Sequence, residues 1–261
     1  MESAVVTGAG RGIGRAIAQA LVRRGYQVVA ADIDADLVRR TADEIGAADS
    51  VAQDVRDEAS HQALAATAAK HGRLAVWVNN AGVGDDGTLA DLSSEQVRRL
   101  VEINLLGVTW GMRAALDAFA PEGGDIVNVA SASGLGPVPG LSVYAATKAA
   151  VVSLTSSVAV EAPRGVRVHA LCPDGVDTDL VAGMAPGGAA KALVHSGGRL
   201  LTVDEVAREA VALIGSRRVV RSLPAWRGGL IRAGSLAPSI SGQGFALMAQ
   251  FGRRVIQRRE S

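Results

Sequence analysis

The chain is poor in several things. It has one cysteine, Cys172, in 261 residues, so no disulfide can form within it and a reducing compartment, cytoplasmic, is expected. Cys172 reads as a small buried apolar residue rather than a nucleophile. Aromatic residues make up only 3%, too few for a surface that stacks nucleic-acid bases. No apolar run reaches the ~18–20 residues of a membrane span. Met1 leads almost at once into an apolar run ending in glycines, which leaves no room for a signal peptide. Net charge is scarce too: 27 Lys+Arg face 26 Asp+Glu, which at face value argues against a nucleic-acid partner. The histidines, His61, His71, His169 and His195, have no metal-ligand spacing with Cys172 or with each other, so no metal is expected. His195 reads as an exposed loop histidine. What remains is 48% hydrophobic and 20% charged, a globular balance that excludes a disordered chain.

Short apolar runs alternate with helical patterns. Strands are predicted at Ala4–Thr7, Gln27–Ala31, Val76–Asn79, Asp125–Val129 and Arg167–Leu171. They are apolar on both faces, as parallel strands covered by helices on both sides require. Helices are predicted at Gly14–Arg24, Asp34–Ile45, Glu58–Lys70, Ser94–Ala120 and Val143–Glu161, with Ser93, Ser94, Glu95 and Gln96 reading as a helix start. The alternation predicts an α/β fold, a Rossmann-type three-layer, doubly wound parallel sheet of about seven strands. Residues 1–220 would form this domain. Within it, the Gly- and Ala-rich stretch 177–200 lacks clean periodicity and reads as a mobile flap.

Residues 4–14, AVVTGAGRGIG, pass from strand through a glycine turn into a helix. Gly8, Gly12 and Gly14 are spaced G-x-x-x-G-x-G, with Arg11 and Ile13 between. Glycines let backbone approach a pyrophosphate, and the helix start offers free N–H groups and a positive dipole end. Asp32, followed by Ile33, ends the second strand 18 residues after Gly14. A carboxylate there accepts hydrogen bonds from the adenosine ribose and repels a 2′-phosphate, which favours NAD over NADP. Arg11 argues the other way, since a guanidinium can reach that phosphate. The plainer alternatives are a solvated Arg11 and an Asp32 that only caps the next helix.

Further motifs follow. Asn79-Asn80-Ala81-Gly82 closes a strand, Asn104 lies in the long helix after it, and Ser131 stands 13 residues before Tyr144. Tyr144 and Lys148 form Y-x-x-x-K on one helix face. In this order and spacing, with Thr7-Gly8, Gly12 and Gly14, the chain resembles the short-chain dehydrogenase/reductase family in its single-domain form, over roughly residues 3–215. The resemblance implies interconversion of a secondary alcohol and a ketone with NAD or NADP. Tyr144 would move the alcohol proton. A phenol is a poor base at neutral pH, and the Lys148 ammonium would lower its pKa and hold the nicotinamide ribose. Ser131 would bond the substrate oxygen, and Asn104 would anchor a water leading from Lys148 to solvent. Asp54 and Val55 match the family's adenine contacts, and Asn80, Ala81 and Gly82 its segment beside the adenosine ribose. Asn79 and Asn80 have a structural alternative, satisfying buried strand ends. Pro173, Val176 and Thr178 match a P-G-x-V-x-T motif beside the nicotinamide, but Asp174 stands where the family has Gly. The family also implies a homo-oligomer, built through the helices 94–120 and 143–161.

The end of the chain is atypical. The short V-D-G-G-like ending of many members is missing, and residues 221–261 read as a separate extension. Phe245, Met248, Phe251 and Val255 recur at helical spacing, with Arg253 and Arg254 on another face and Trp226, Leu230 and Ile231 upstream. Residues 217–261 carry nine Arg and one Glu, a charge of +8 that cancels −7 in the first 216. Three readings of this basic amphipathic end stand side by side: a helix docked on its own core or a partner subunit, a peripheral contact with an anionic inner membrane surface, and a cover over a hydrophobic pocket. The tail resembles those of members acting on steroids, retinoids or other lipid alcohols. That favours a small hydrophobic substrate over the alternative, an NADPH-dependent carbonyl or 3-oxoacyl reductase. A dinucleotide-binding scaffold without turnover is the alternative of another class, which the intact Asn104, Ser131, Tyr144 and Lys148 set opposes.

Overall fold

The structure, a computed structural model, describes residues 1–236 and 247–257. The first half of the chain runs β1 (Glu2–Thr7), α1 (Gly12–Arg23), β2 (Gln27–Asp32), α2 (Ala35–Ile45), β3 (Asp49–Ala52), α3 (Glu58–His71) and β4 (Arg73–Asn79). The second half continues with α4 (Ser94–Val101), α5 (Gly107–Ala118), β5 (Gly124–Val129), α6 (Ser142–Glu161), β6 (Val166–Pro173), α7 (Asp179–Ala182), α8 (Ala189–His195), α9 (Val203–Leu213), β7 (Val220–Leu223) and α10 (Ala225–Ser235). A last helix, α11, covers 247–257.

The seven strands pair in parallel in the order β3-β2-β1-β4-β5-β6-β7. Alternate β1 side chains enter two cores. Val6 packs with Ile17 and Leu21 of α1 and Val206 of α9, and Val5 with Leu64 of α3, Trp77 of β4 and Met112 of α5. A strand buried on both faces must be apolar throughout, which is why the AVV run shows no alternation. Strand order reverses between β1 and β4, so a crevice opens at their carboxyl ends.

Several expectations shift. The sheet of about seven strands is present, and two of them, β3 and β7, fall outside the five predicted runs; both are four-residue edge strands without an apolar run. The expected helix 94–120 is interrupted by a π turn at Glu102–Leu106. Its start is the expected one, a capping box in which Ser93 and Gln96 bond each other's backbone N–H. The boundary at 220 falls inside the sheet, since Val220–Leu223 pairs with Ala170–Pro173. Helix α10 belongs to the body as well: Ile231 packs into the core that holds Val151, and Gly228 sits against Ser222. Helix α11 lays Met248 and Ala249 on Ala192, Leu193 and Val138. Phe251, expected on that apolar face, is 53% exposed, because the docking side runs through Ala249 and Gly252. Phe245 lies outside the described residues. Helix α6 is apolar enough to cross a membrane by length and composition, with a mean hydropathy of 1.4, yet its Lys148, Val151 and Thr155 are buried in the protein.

Candidate active site

The glycine turn is built by close approach. A Cβ on Gly14 would lie 2.0 Å from the Gly8 carbonyl oxygen, so only glycine lets α1 start this close to the end of β1. Gly12 has φ +57°, and a Cβ there would meet only Thr178, at 3.9 Å, leaving the turn's outer side open. Asn80 locks the turn to the end of β4, its Nδ2 donating to the carbonyls of Thr7 and Gly8, both at 3.0 Å. The Thr7 hydroxyl accepts from the backbone N–H of Asn80 and Ala81 at 3.0 and 3.1 Å. Asn79 is structural: it accepts from the Trp77 indole at 2.8 Å and donates to Asn128 at 2.9 Å.

Asp32 sits at the tip of β2, and its two oxygens accept from the N–H groups of Gly10 (2.9 Å) and Asp34 (3.2 Å). The cap of α2 is Asp34, which accepts from Leu37 N, so Asp32 does not serve that purpose. Arg11 pairs with Asp179 at 2.9 Å on the rim, both side chains more than 70% exposed. Across the crevice the Arg56 guanidinium hydrogen-bonds the Asp54 carboxylate and lowers its pKa.

Behind the other end of the crevice, the π turn points Asn104 inward. Its Oδ1 accepts from Val83 N and its Nδ2 donates to Val83 O, both at 2.9 Å. Nδ2 also lies 3.4 Å from Thr147 Oγ1, and Thr147 in turn donates to the Tyr144 carbonyl at 2.7 Å. The Lys148 ammonium donates to Val129 O at 3.0 Å and lies 5.8 Å from the Tyr144 ring centroid. Burial pushes Lys148 down to about 8. Burial also raises the Tyr144 phenol, and a hydrogen bond with Ser131 pulls it part of the way back. The ammonium was expected to lower this phenol; it is turned to Val129 instead, and desolvation dominates. Burial likewise pushes the Cys172 thiol up to about 12, as an inert cysteine requires.

A cavity of about 380 Å³ runs from Asp32 and Asp54 to Tyr144 and Ser131. Every sequence-selected site residue lines it except Gly14, packed beneath the turn, and Asn104, shielded behind Gly82 and Val83. Ile33 lines it from an exposed position, and Pro173, Val176 and Thr178 form the wall beyond β6. The glycine-lined end has the backbone approach and the carboxylate that a dinucleotide requires, so these residues fit such a cofactor.

The far end was not found from sequence: Leu141, Leu180, Val181, Met184 and Val194 make it apolar. Four of these lie in 177–200, where two short helices replace any readable period. His195, expected to be exposed, is buried at 8% exposure, with Nδ1 2.9 Å from the Lys191 carbonyl. Asp174 also lines this end.

Comparison with known proteins agrees with this geometry. Residues 2–187 match the family model for short chain dehydrogenase. The chain is 41% identical over 181 residues to sorbitol dehydrogenase of Cereibacter sphaeroides, covering 67% of this chain and 71% of that one. Among solved structures, a short chain dehydrogenase/reductase from Burkholderia phymatum in complex with NAD aligns with a TM-score of 0.79 and 30% identity, over 88% of this chain and 92% of the other. The 3-ketoacyl-(acyl-carrier-protein) reductase of Brucella melitensis, complexed with NADH, aligns at 0.77 and 34% identity, over 85% and 96%. The chain belongs to the short-chain dehydrogenase family, as a Rossmann-fold NAD(P)-dependent oxidoreductase of alcohol and ketone substrates.

Proposed function

We propose that the protein interconverts a hydrophobic secondary alcohol and its ketone, with NAD as the preferred cofactor. The observation that carries this is the junction at Tyr144 and Ser131, which faces a glycine-lined end on one side and an apolar end on the other. When bound, the nicotinamide supplies the hydride acceptor or donor. The chain does the rest. Leu141, Met184 and Val194 bind the apolar part of the substrate and exclude water. Ser131 and Tyr144 share the substrate oxygen, and Tyr144 accepts its proton in oxidation or returns it in reduction. Burial favours the neutral phenol, the form that donates in reduction; a positive charge brought close to it favours the phenolate that oxidation needs. Lys148 supports that charge balance, and Asn104 holds the 82–83 backbone beside it.

The preference for NAD rests on Asp32, whose carboxylate two backbone N–H groups hold at the cavity edge. Arg11, the residue that argues for NADP, is turned to Asp179 on the rim in an exposed ion pair, a weaker element than the held Asp32 carboxylate. Two partner proposals accompany this reading: a homo-oligomer through α4–α5 and α6, where Val160 is 87% exposed, and peripheral contact with an anionic membrane through the arginine-rich end.

The test is Tyr144→Phe. Loss of the proton-transfer group is expected to lower kcat by ~10²–10⁴-fold on hydrophobic secondary alcohols, with NAD reduction followed by absorbance and cofactor affinity kept. Near-normal turnover of that variant overturns the mechanism.

A further inference from the structure

Arg227, in the first turn of α10, is a buried charge that the reaction does not use. It is 6% exposed. Its Nε lies 2.8 Å from Asp174 Oδ2, and Asp174 is itself mostly buried. Its Nη2 donates to the Leu193 carbonyl at 3.2 Å and to the Ser196 hydroxyl. The Asp174 carboxylate closes against the next turn: a Cβ on Gly197 would lie 2.9 Å from Oδ2.

One guanidinium therefore joins three segments. The first is the end of β6 with the loop after it, whose Pro173, Asp174, Val176 and Thr178 line the cavity. The second is the end of α8, whose Val194 lines the apolar end and whose last carbonyls attract a cation. The third is α10, beyond the 2–187 span of the family match. The Asp174 carboxylate pairs the charge at Nε through a close ion contact rather than an aligned hydrogen bond, and Nη2 carries both hydrogen bonds, to Leu193 and Ser196.

We propose that Arg227 is a positioning residue that sets the shape of the substrate end by clasping the 173–178 loop to the end of α8. Helix α10 thereby takes part in substrate selection without touching substrate. The inference rests on the reading of the apolar end as the substrate site. Truncating the clasp frees Val194 and the loop to move together, and displacements of this kind at a substrate wall appear in KM before kcat.

The experiment uses the full-length protein and three variants, Arg227→Met, Arg227→Lys and the double variant Asp174→Asn/Arg227→Met. Hydrogen–deuterium exchange without substrate is measured first. The clasp predicts that Arg227→Met speeds exchange in 173–178 and 193–198 and leaves β1 and β4 unchanged. The double variant, with no buried charge left unpaired, exchanges more slowly there than Arg227→Met. Arg227→Lys keeps the charge but loses the fork, and falls between wild type and Arg227→Met; it also serves if Arg227→Met does not fold. In kinetics, Arg227→Met is expected to lower kcat/KM about 10²-fold, mostly through KM. Unchanged exchange in both segments, or a loss confined to kcat, overturns the proposal. Exchange decides the clasp with no substrate present, so a wild-type protein inactive on every secondary alcohol overturns the reading of the site instead.

Discussion

Asp125 offers the sharpest test of how the body of the fold is held. It is 3% exposed on β5, at the end of the sheet opposite the cavity. Its Oδ1 accepts from Arg167 Nε at 2.9 Å, His169 Nε2 at 3.0 Å and Gly215 N at 2.9 Å, and its Oδ2 accepts from Arg167 Nη2 at 2.7 Å. The carboxylate thus ties β5 to β6 and to the turn after α9. Burial alone would raise its pKa; the bonds from His169, Arg167 and Gly215 outweigh it and hold the group at about 2, against an ordinary 3.8. A depressed folded-state pKa contributes stability that is complete above pH ~5 and is lost as pH falls toward 2. The shift corresponds to about 2 kcal/mol, which screening around the 42% exposed Arg167 trims to roughly 1.5. Asp125→Asn keeps the volume, removes the charge and turns one acceptor into a donor facing donors. The expected loss at pH 7 is therefore larger, ~2–4 kcal/mol. The assay is urea unfolding by circular dichroism at fixed protein concentration, at pH 7 and pH 3. The gap between wild type and variant should narrow at pH 3, where about half of the proton-linked part is gone. A variant within ~0.5 kcal/mol of wild type at pH 7 refutes the reasoning.

Two other predictions concern cofactor and partner. Asp32→Asn keeps an acceptor for Gly10 N and removes the charge; the NADP-to-NAD ratio of kcat/KM should rise about tenfold, a cost of ~1.4 kcal/mol lifted from the 2′-phosphate, whereas a wild type that already prefers NADP ends the NAD assignment. Full-length protein should co-sediment with phosphatidylglycerol-rich vesicles at low salt and be released at high salt. Phe251→Ser/Arg253→Gln should weaken that binding, and protein that stays in solution at low salt retires the membrane contact.

The parts of the site legible in sequence are those carried by short-range pattern. The glycine turn lies within seven residues, Tyr144 and Lys148 within one helical turn, and buried parallel strands announce themselves as apolar runs. Edge strands β3 and β7 carry no such run, since only one neighbour orders them and no residue of either is fully buried. The π turn at Glu102–Leu106 leaves no mark either, because a one-residue widening does not disturb a helical period enough to see. The direction of the Tyr144 shift could not be read from Y-x-x-x-K. The spacing puts lysine and phenol on one face, but only the fold reveals that the ammonium is spent on Val129 and that burial weighs on the phenol. The apolar end was hidden for a related reason: Leu141 precedes α6, Met184 follows α7 and Val194 lies in α8, so no local pattern joins them.

Two departures from the family pattern stood apart in the sequence, Asp174 in place of glycine and an ending without the usual short motif. In the structure they are one contact. A carboxylate at 174 beside the cavity, raised in pKa by burial, needs a cation, and no residue of the 173–178 loop supplies one. Arg227 supplies it from α10, a helix that can reach Asp174 only because the chain turns back at Pro224 after β7 and packs Ile231 into the core. The arginine-rich end is therefore not a uniform appendage. Arg221 pairs with Glu209 and Arg227 with Asp174, inside the body, whereas Arg253 and Arg254 stay on the surface of α11. Among the described residues of this end, the exposed arginines outside these pairs are Arg217, Arg218 and Arg232 on the body and Arg253 and Arg254 on α11, a helix seated over the flap. A partner bound there would bear on α8, and through it on the apolar end of the cavity.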